Sequence, residues 1–250
     1  MVATSAVYAR VEAPKVTPRP YGLFSVVTPE SPSGTDWQMG ISFESWACID
    51  PNVTRSSCID GLADAPPKEF EVCPNTQSVK PFTVYSGVKL TGQSQDVART
   101  EAKAILAGAE EYAVEKGLWA TLGAAVTESA ALSPLGALAL VENNLAVGYM
   151  GVGIIHMTPG MAVRLGTGAL VVKGDHLETI AGTPVVVGSG YAAAAPVAIY
   201  GTGQIKAMRG PVDTIEAFAL SVNDLLVLAE RTYVTAWDCF ATGSLVTPAT

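Results

Sequence analysis

Charge is scarce in this 250-residue chain. Asp, Glu, Lys and Arg make up 15% of it, against roughly 25% in an average soluble domain. With 49% hydrophobic residues, a monomer cannot cover its surface with charge. It exposes broad apolar areas of the kind that mark association surfaces. The competing reading is one well-buried core rich in Ala, Gly and Val. Positive charge is scarcer still: 15 Lys+Arg face 23 Asp+Glu, for a formal net charge of −8. No basic cluster is longer than a pair, so the footprint of a nucleic-acid reader is missing. An acidic wall can still contain nucleic acid, since weak repulsion keeps it from gripping its contents. Long apolar runs are missing too. Asn144–Ile155 and Pro184–Tyr200 are the most apolar stretches, and both are too short or too broken by Gly, Ser and Pro to span a bilayer. The first twenty residues lack the basic-then-apolar order of a secretory signal. A soluble protein made in a cytoplasm, with no membrane partner, is expected.

Chemistry-bearing residues are equally thin. The only histidines are His156 and His176, and the four cysteines (Cys48, Cys58, Cys73 and Cys239) form no C-x-x-C pair. Zinc spacing is therefore absent. The cysteines read as buried free thiols, with disulfides in the Cys48–Cys73 region as the alternative for an extracellular particle. Gly166-Thr167-Gly168 and Gly201-Thr202-Gly203 do not extend into a dinucleotide fingerprint, and no phosphate-binding loop is present, so these read as turn glycines. Gly188-Ser189-Gly190 is not a nucleophile elbow. A hydrolase on Ser189 would need His156 or His176 as base and an acid such as Asp175. His156, inside the apolar run GVGIIHM, instead reads as a satisfied core or interface histidine. Asp175-His176 reads as a tight turn with Glu178 as the only nearby carboxylate. Asp238 beside Cys239 suggests an activated thiol, but no base accompanies it. The expectation is no catalytic residue, no cofactor, no metal site and no enzymatic activity.

What the chain does have is a clear order of segments. The first ~40 residues are rich in Pro, Ser and Thr and read as an extended arm ordered only against a neighbour, or as a floppy tail. Gln38–Cys48, with Phe43 and Trp46, suits a strand. Asp50–Asn75 is a turn-rich excursion, and Lys80–Leu90 resumes β character, which together make a projecting hairpin. A long helix runs from Ser94, a plausible N-cap, to about Trp119, with Lys116-Gly117 as its stop signal. Val97, Glu101, Ile105, Gly108 and Tyr112 fall on one face, beside a row of alanines. Ser133-Pro134 opens a helix to about Val147, Gly148–Met157 is a strand, and Thr158-Pro159 opens a short helix ending near Gly166. Leu170–Lys173, Glu178–Ile180, Pro184–Val187 and Val197–Tyr200 read as short strands. Gly203–Arg209, Asp213–Ser221 and Leu225–Phe240 read as adjoining ones. Leu225–Phe240 is apolar on both faces and belongs in the middle of a sheet or covered on both sides.

That order, together with PFTVYSGVKLTG, the Glu110–Trp119 stretch (an E-x-x-A-V-E-x-x-L/W pattern), ETIAGTPVVVGSGY and AERTYVTAWDCFATGSLV, resembles the major capsid proteins of tailed bacteriophages. Their Hong Kong 97-type fold is shared with encapsulin shells. The helix segment is similar to capsid proteins of actinobacterial phages. The resemblance implies an α+β fold with an N-arm (1–36), an E-loop (37–80) and a peripheral (P) domain (81–130 and 208–240) carrying the spine helix 94–119. It further implies an axial (A) domain (131–207) and a C-terminal tail (241–250). The implied function is a major capsid protein, self-assembled through pentamers and hexamers into an icosahedral head around double-stranded DNA, with an encapsulin-like shell or a phage tail or connector protein as the alternative. Scaffolding, portal and decoration proteins are the implied partners, and the virion the implied location. Some relatives join Lys to Asn covalently. Lys68, Lys80, Asn143, Asn144 and Asn223 are the residues to consider, and no pattern selects a pair, so no crosslink is expected. Loops with Gly151, Gly153 and Gly160 are expected to flex between symmetry environments.

Overall fold

The computed structural model describes residues 17, 19–48, 75–91, 94–193, 197–219 and 224–247. Most of the Asp50–Asn75 excursion lies outside them, as do Cys58, Cys73, Lys68, Asn223 and most of the proline-rich start.

Residues 19–31, expected to order only against a neighbour, settle on their own chain. Pro20 and Pro29 bracket the apolar segment LFSV, which forms one helical turn, α1 (Leu23–Val26). Leu23 and Val27 are buried. The Val187 N–H donates to the Tyr21 carbonyl, and Glu30 exchanges backbone hydrogen bonds with Ala207 and Arg209. A tight turn, Asp36–Met39, buries Trp37 and leads into β1 (Ile41–Ser45). That strand pairs antiparallel with β2 (Asn75–Val79) in a ribbon that joins no other sheet. Then come β3 (Phe82–Thr91) and the long helix α2 (Gln95–Ala125).

At 31 residues, α2 is ~46 Å long and passes its expected stop. Gly117 is tolerated inside it at a cost of about 1 kcal/mol, and Leu118, Trp119 and Leu122 repay this by full burial. Ser94 does stand at the N-cap, although its hydroxyl makes no cap bond. The buried stripe is Ala98, Ala102, Leu106, Leu118 and Leu122; the Val97, Ile105 and Tyr112 face points outward. Alanines let the helix backbone lie close to the strands beneath, which is why they take the inner side.

After β4 (Ser129–Leu132), Ser133 accepts from the Gly136 N–H at 3.2 Å and starts α3 (Pro134–Gly148). Next are β5 (Ile154–Met157) and α4 (Pro159–Leu165), the latter capped by Thr158 accepting from the Met161 N–H. The chain continues through β6 (Leu170–Lys173), β7 (His176–Thr179), β8 (Pro184–Val187) and β9 (Ala198–Thr202). It ends with β10 (Ile205–Arg209), β11 (Asp213–Ala219), β12 (Asp224–Trp237) and β13 (Ala241–Val246).

Two main sheets result. A mixed seven-stranded sheet runs β4-β13-β9-β5-β8-β7-β6. In the other, β12 is central: β3 pairs along one edge, and β11 then β10 pair end to end along the other. This central place is the one its two apolar faces called for. Residues 241–246, expected as tail, are instead an interior strand between β4 and β9. Thr242, Gly243 and Ser244 dilute the β signal there, yet Thr242 and Ser244 are buried.

The seven-stranded sheet separates two cores. Ile154, Val186, Ala198 and Tyr200 face α2 and the other sheet, while Ile155, Met157, Val185, Val187 and Ile199 face α3 and α4. The period-2 alternation assigns neighbouring residues to opposite cores. Gly153, expected in a flexing loop, is a close approach instead: a Cβ there would meet the Thr202 carbonyl at 2.6 Å.

Candidate assembly surfaces

Three glutamates on one stretch of α2 fasten three parts of the chain. Glu110 accepts from Arg231 at 2.9 and 3.2 Å and from the Tyr233 hydroxyl at 3.0 Å, both on β12. Glu111 accepts the Phe24 N–H at 2.8 Å. Glu115 is almost fully buried and accepts the Leu23 N–H at 3.0 Å and the Gly190 N–H at 2.8 Å. This short stretch of helix thus holds the central strand, the turn α1 and the loop after β8. Burial raises the pKa of both Glu111 and Glu115, with the backbone N–H donors acting against it. The loop must come close to be held. A Cβ on Gly190 would meet Glu115 Cβ at 2.7 Å, so only glycine fits.

Ser189 belongs to this anchor. Its hydroxyl donates to Glu115 at 3.4 Å, and no histidine accompanies it. His156 uses both ring nitrogens elsewhere, on the Tyr191 hydroxyl (3.0 Å) and the Thr202 hydroxyl (3.1 Å). Complete burial lowers its pKa to about 3, so the ring is neutral and fits the reading of a satisfied core histidine. Trp119 stacks on Tyr191 and meets Tyr200 edge-on, each with centroids 4.7 Å apart. His176 lies at the β6–β7 turn, within hydrogen-bond reach of Asp175 (3.2 Å) and Glu178 (3.1 Å), which raise its pKa. Lys173 pairs with Glu178 at 3.0 Å. The residues considered for a Ser-His-Asp arrangement are therefore spread over three places with separate partners. Among the described residues no group of three or more metal-ligating side chains converges.

Cys239 corrects the free-thiol reading. It is joined to Cys48 in a disulfide, with Cα atoms 6.0 Å apart and 191 residues between them in sequence. It is neither a buried free thiol nor an activated one. Asp238 accepts instead from the Tyr149 hydroxyl and the Cys239 N–H, each at 3.0 Å. Pairing over such a separation is invisible to spacing. In the chain-entropy picture, closing a loop this long is worth on the order of 5 kcal/mol.

The second sheet leaves a face open. Tyr85, Ile215 and Leu226 are 70%, 53% and 41% exposed. The ladder aligns Ile215 with Leu228 and Gly87, and Ala217 with Leu226 and Lys89. They line a shallow apolar groove. Further exposed apolar side chains are Val147 in the last turn of α3 and Met150 just after it, Val163 on α4, and Val171, Val172 and Ile180 around β6 and β7. Low charge and open apolar area thus coincide. Of the residues considered for covalent joining, Asn144 donates to the Thr242 hydroxyl at 2.9 Å within the chain.

No protein-family model matches the chain, and no curated protein matches its sequence. Its structure does find likenesses along its whole length, and they define it as having the tailed-phage capsid fold, an α+β shell fold. The capsid of the cyanophage P-SCSP1u matches with a TM-score of 0.55 at 9% identity, over 99% of this chain and 94% of that one. The capsid of an empty GTA particle matches with a TM-score of 0.57 at 10% identity, over 98% and 94%. A chain of Mycobacterium phage Che8 matches with a TM-score of 0.56 at 9% identity, over 97% of both. The fold expected from the order of segments is the fold found, and an actinobacterial phage is among the neighbours.

Proposed function

We propose that this chain is a major capsid protein that self-assembles into the icosahedral head of a tailed bacteriophage. The observation that carries the proposal is the open apolar face on β3, β12 and β11, set in a chain whose whole length follows the capsid fold. Desolvating that face against neighbours supplies the association energy. Closed symmetry then sums weak contacts into a stable wall. In this reading residues 1–36 are the N-arm and 37–80 the E-loop. Residues 81–130 and 208–240 form the P domain, and 131–207 the A domain, which meets its copies at five-fold and quasi-six-fold axes.

The wall encloses double-stranded DNA without reading its sequence. Its net charge of −8 keeps that contact loose. Scaffolding, portal and decoration proteins are its partners, subunits join without a covalent crosslink, and the protein performs no catalysis. Assembly takes place in the host cytoplasm, and the product is the virion. To test this, the 25.9 kDa chain is expressed alone and with the genes beside it, then sedimented. Particles of megadalton mass are the expected result, unchanged by Ser189→Ala. A monomer under both conditions would overturn the reading.

A further inference from the structure

We infer that the Cys48–Cys239 pair is a redox latch on the β1–β2 ribbon: open while both sulfurs are thiols, and closed when they are joined. Two-stranded ribbons standing alone are marginal in water, and this one pairs with no other sheet. Phe43 of β1 and Trp46 just after it share the lining of an open groove of about 520 Å³ with Val26, Ile205, Ala236 and Asp238. The ribbon is held near its ends. Before β1, Trp37 is buried, with its tip 3.7 Å from where a Cβ on Gly210 would stand. After β1, the Met150 N–H donates to the Ala47 carbonyl at 2.9 Å, and the disulfide ties the next residue to the segment between β12 and β13. With the disulfide open, that hydrogen bond remains as a tether at that end.

Both cysteines are only partly buried, so a small disulfide reaches them. The Cys48 or Cys239 thiolate attacks one sulfur of a low-molecular-weight disulfide, forming a mixed disulfide and releasing one small thiolate. The second cysteine's thiolate then attacks the protein-bound sulfur of that mixed disulfide and expels the other small thiolate. Two protein thiols are oxidised to one disulfide, the small disulfide is reduced to two thiols, and the two protons pass to solvent or to the departing thiolates. A reducing cytoplasm leaves the latch open and an oxidising exterior closes it. The ribbon therefore adjusts during assembly and is fixed afterwards. This use rests on the shell reading; the latch itself is a property of the single chain.

Hydrogen exchange on the full-length chain, oxidised and then reduced with a phosphine, tests the latch without requiring particles. Peptide mapping of the oxidised protein comes first and is expected to show Cys48 joined to Cys239. Reduction, or Cys48→Ser, is expected to speed exchange of the Ile41–Ser45 and Asn75–Val79 amides about tenfold or more. Exchange in the middle of α2 and in β5 stays unchanged. Cys239→Ser gives the same pattern and shows that the effect does not depend on which thiol is removed. Joining of Cys48 to Cys58 or Cys73, unchanged ribbon exchange, or equal acceleration everywhere would each overturn the proposal. Separately, particles that form only when the disulfide is already closed would overturn the order of events and leave the shell reading intact.

Discussion

The two main sheets solve the same problem in opposite ways. The seven-stranded sheet is covered on both faces at its centre: every residue of β5 and β9 is buried, and adjacent positions feed separate cores. The sheet around β12 is covered on one face by α2, while β11 and the outer positions of β3 and β12 stay exposed. Its apolar side chains on the open face are spent on nothing within the chain. In the proposed shell, the comparison separates residues that fold the chain from residues left for a neighbour. On that reading 15% charge suffices, because part of the surface does not remain surface.

The largest effect that sharpens this contrast is expected in the core between α2 and the seven-stranded sheet. Trp119→Ala removes a ring packed on Tyr191 and Tyr200 and is expected to cost about 3–5 kcal/mol, read as a fall in the denaturation midpoint. Ile155→Ala, at the covered centre of the seven-stranded sheet, is expected to cost about 2–5 kcal/mol. On the open face, Leu226→Asp is expected to change monomer stability by about 1 kcal/mol or less and yet abolish particles in sedimentation. Loss of folding in Leu226→Asp, or normal assembly, would break the comparison.

Acid adds a smaller, graded test. His156 has a folded pKa of about 3, well below its unfolded value near 6.5, so protonation favours the unfolded chain. Its contribution is complete above pH 6.5 and is lost, at about 1.4 kcal/mol per pH unit, as pH falls from there toward 3. Glu111 and Glu115 are raised, so their contribution has the opposite sign: stability is lost as pH rises from the ordinary carboxylate range through their raised values. Melting curves from pH 7 to 4 are expected to show His156→Gln with a flatter fall than the parent. The smallest effect is Lys173→Ala at an exposed pair with Glu178, worth about 0.5 kcal/mol or less by denaturation.

The covered sheet and the helices were legible because their signals are local. Ser133-Pro134 and Thr158-Pro159 announced helix starts that the side-chain caps confirm, and PVVV announced β8. The doubly apolar run 225–240 announced a central strand. Three strands escaped: β2 (NTQSV) is mostly polar and owes its place to pairing with β1, and the other two share one reason. SAAL (β4) and ATGSLV (β13) are made of small residues whose burial comes from tertiary pairing, not from their own β preference. The arm was misjudged because its proline content hid a four-residue apolar turn. Its anchors are glutamates roughly ninety residues away, and only their i, i+4 placement on an alanine-rich helix in a charge-poor chain hinted at them. The disulfide depends on chain closure over 191 residues and left no local trace.

The central claim, that the open face exists to be covered by further copies of this chain, is tested most directly by electron microscopy of the purified protein expressed with its genomic neighbours. Closed isometric shells for the parent chain, and none for Leu226→Asp or Ile215→Asp at equal expression and folding, is the predicted result. Shells unaffected by charges on that face, or a parent chain that stays monomeric under every condition, would contradict it.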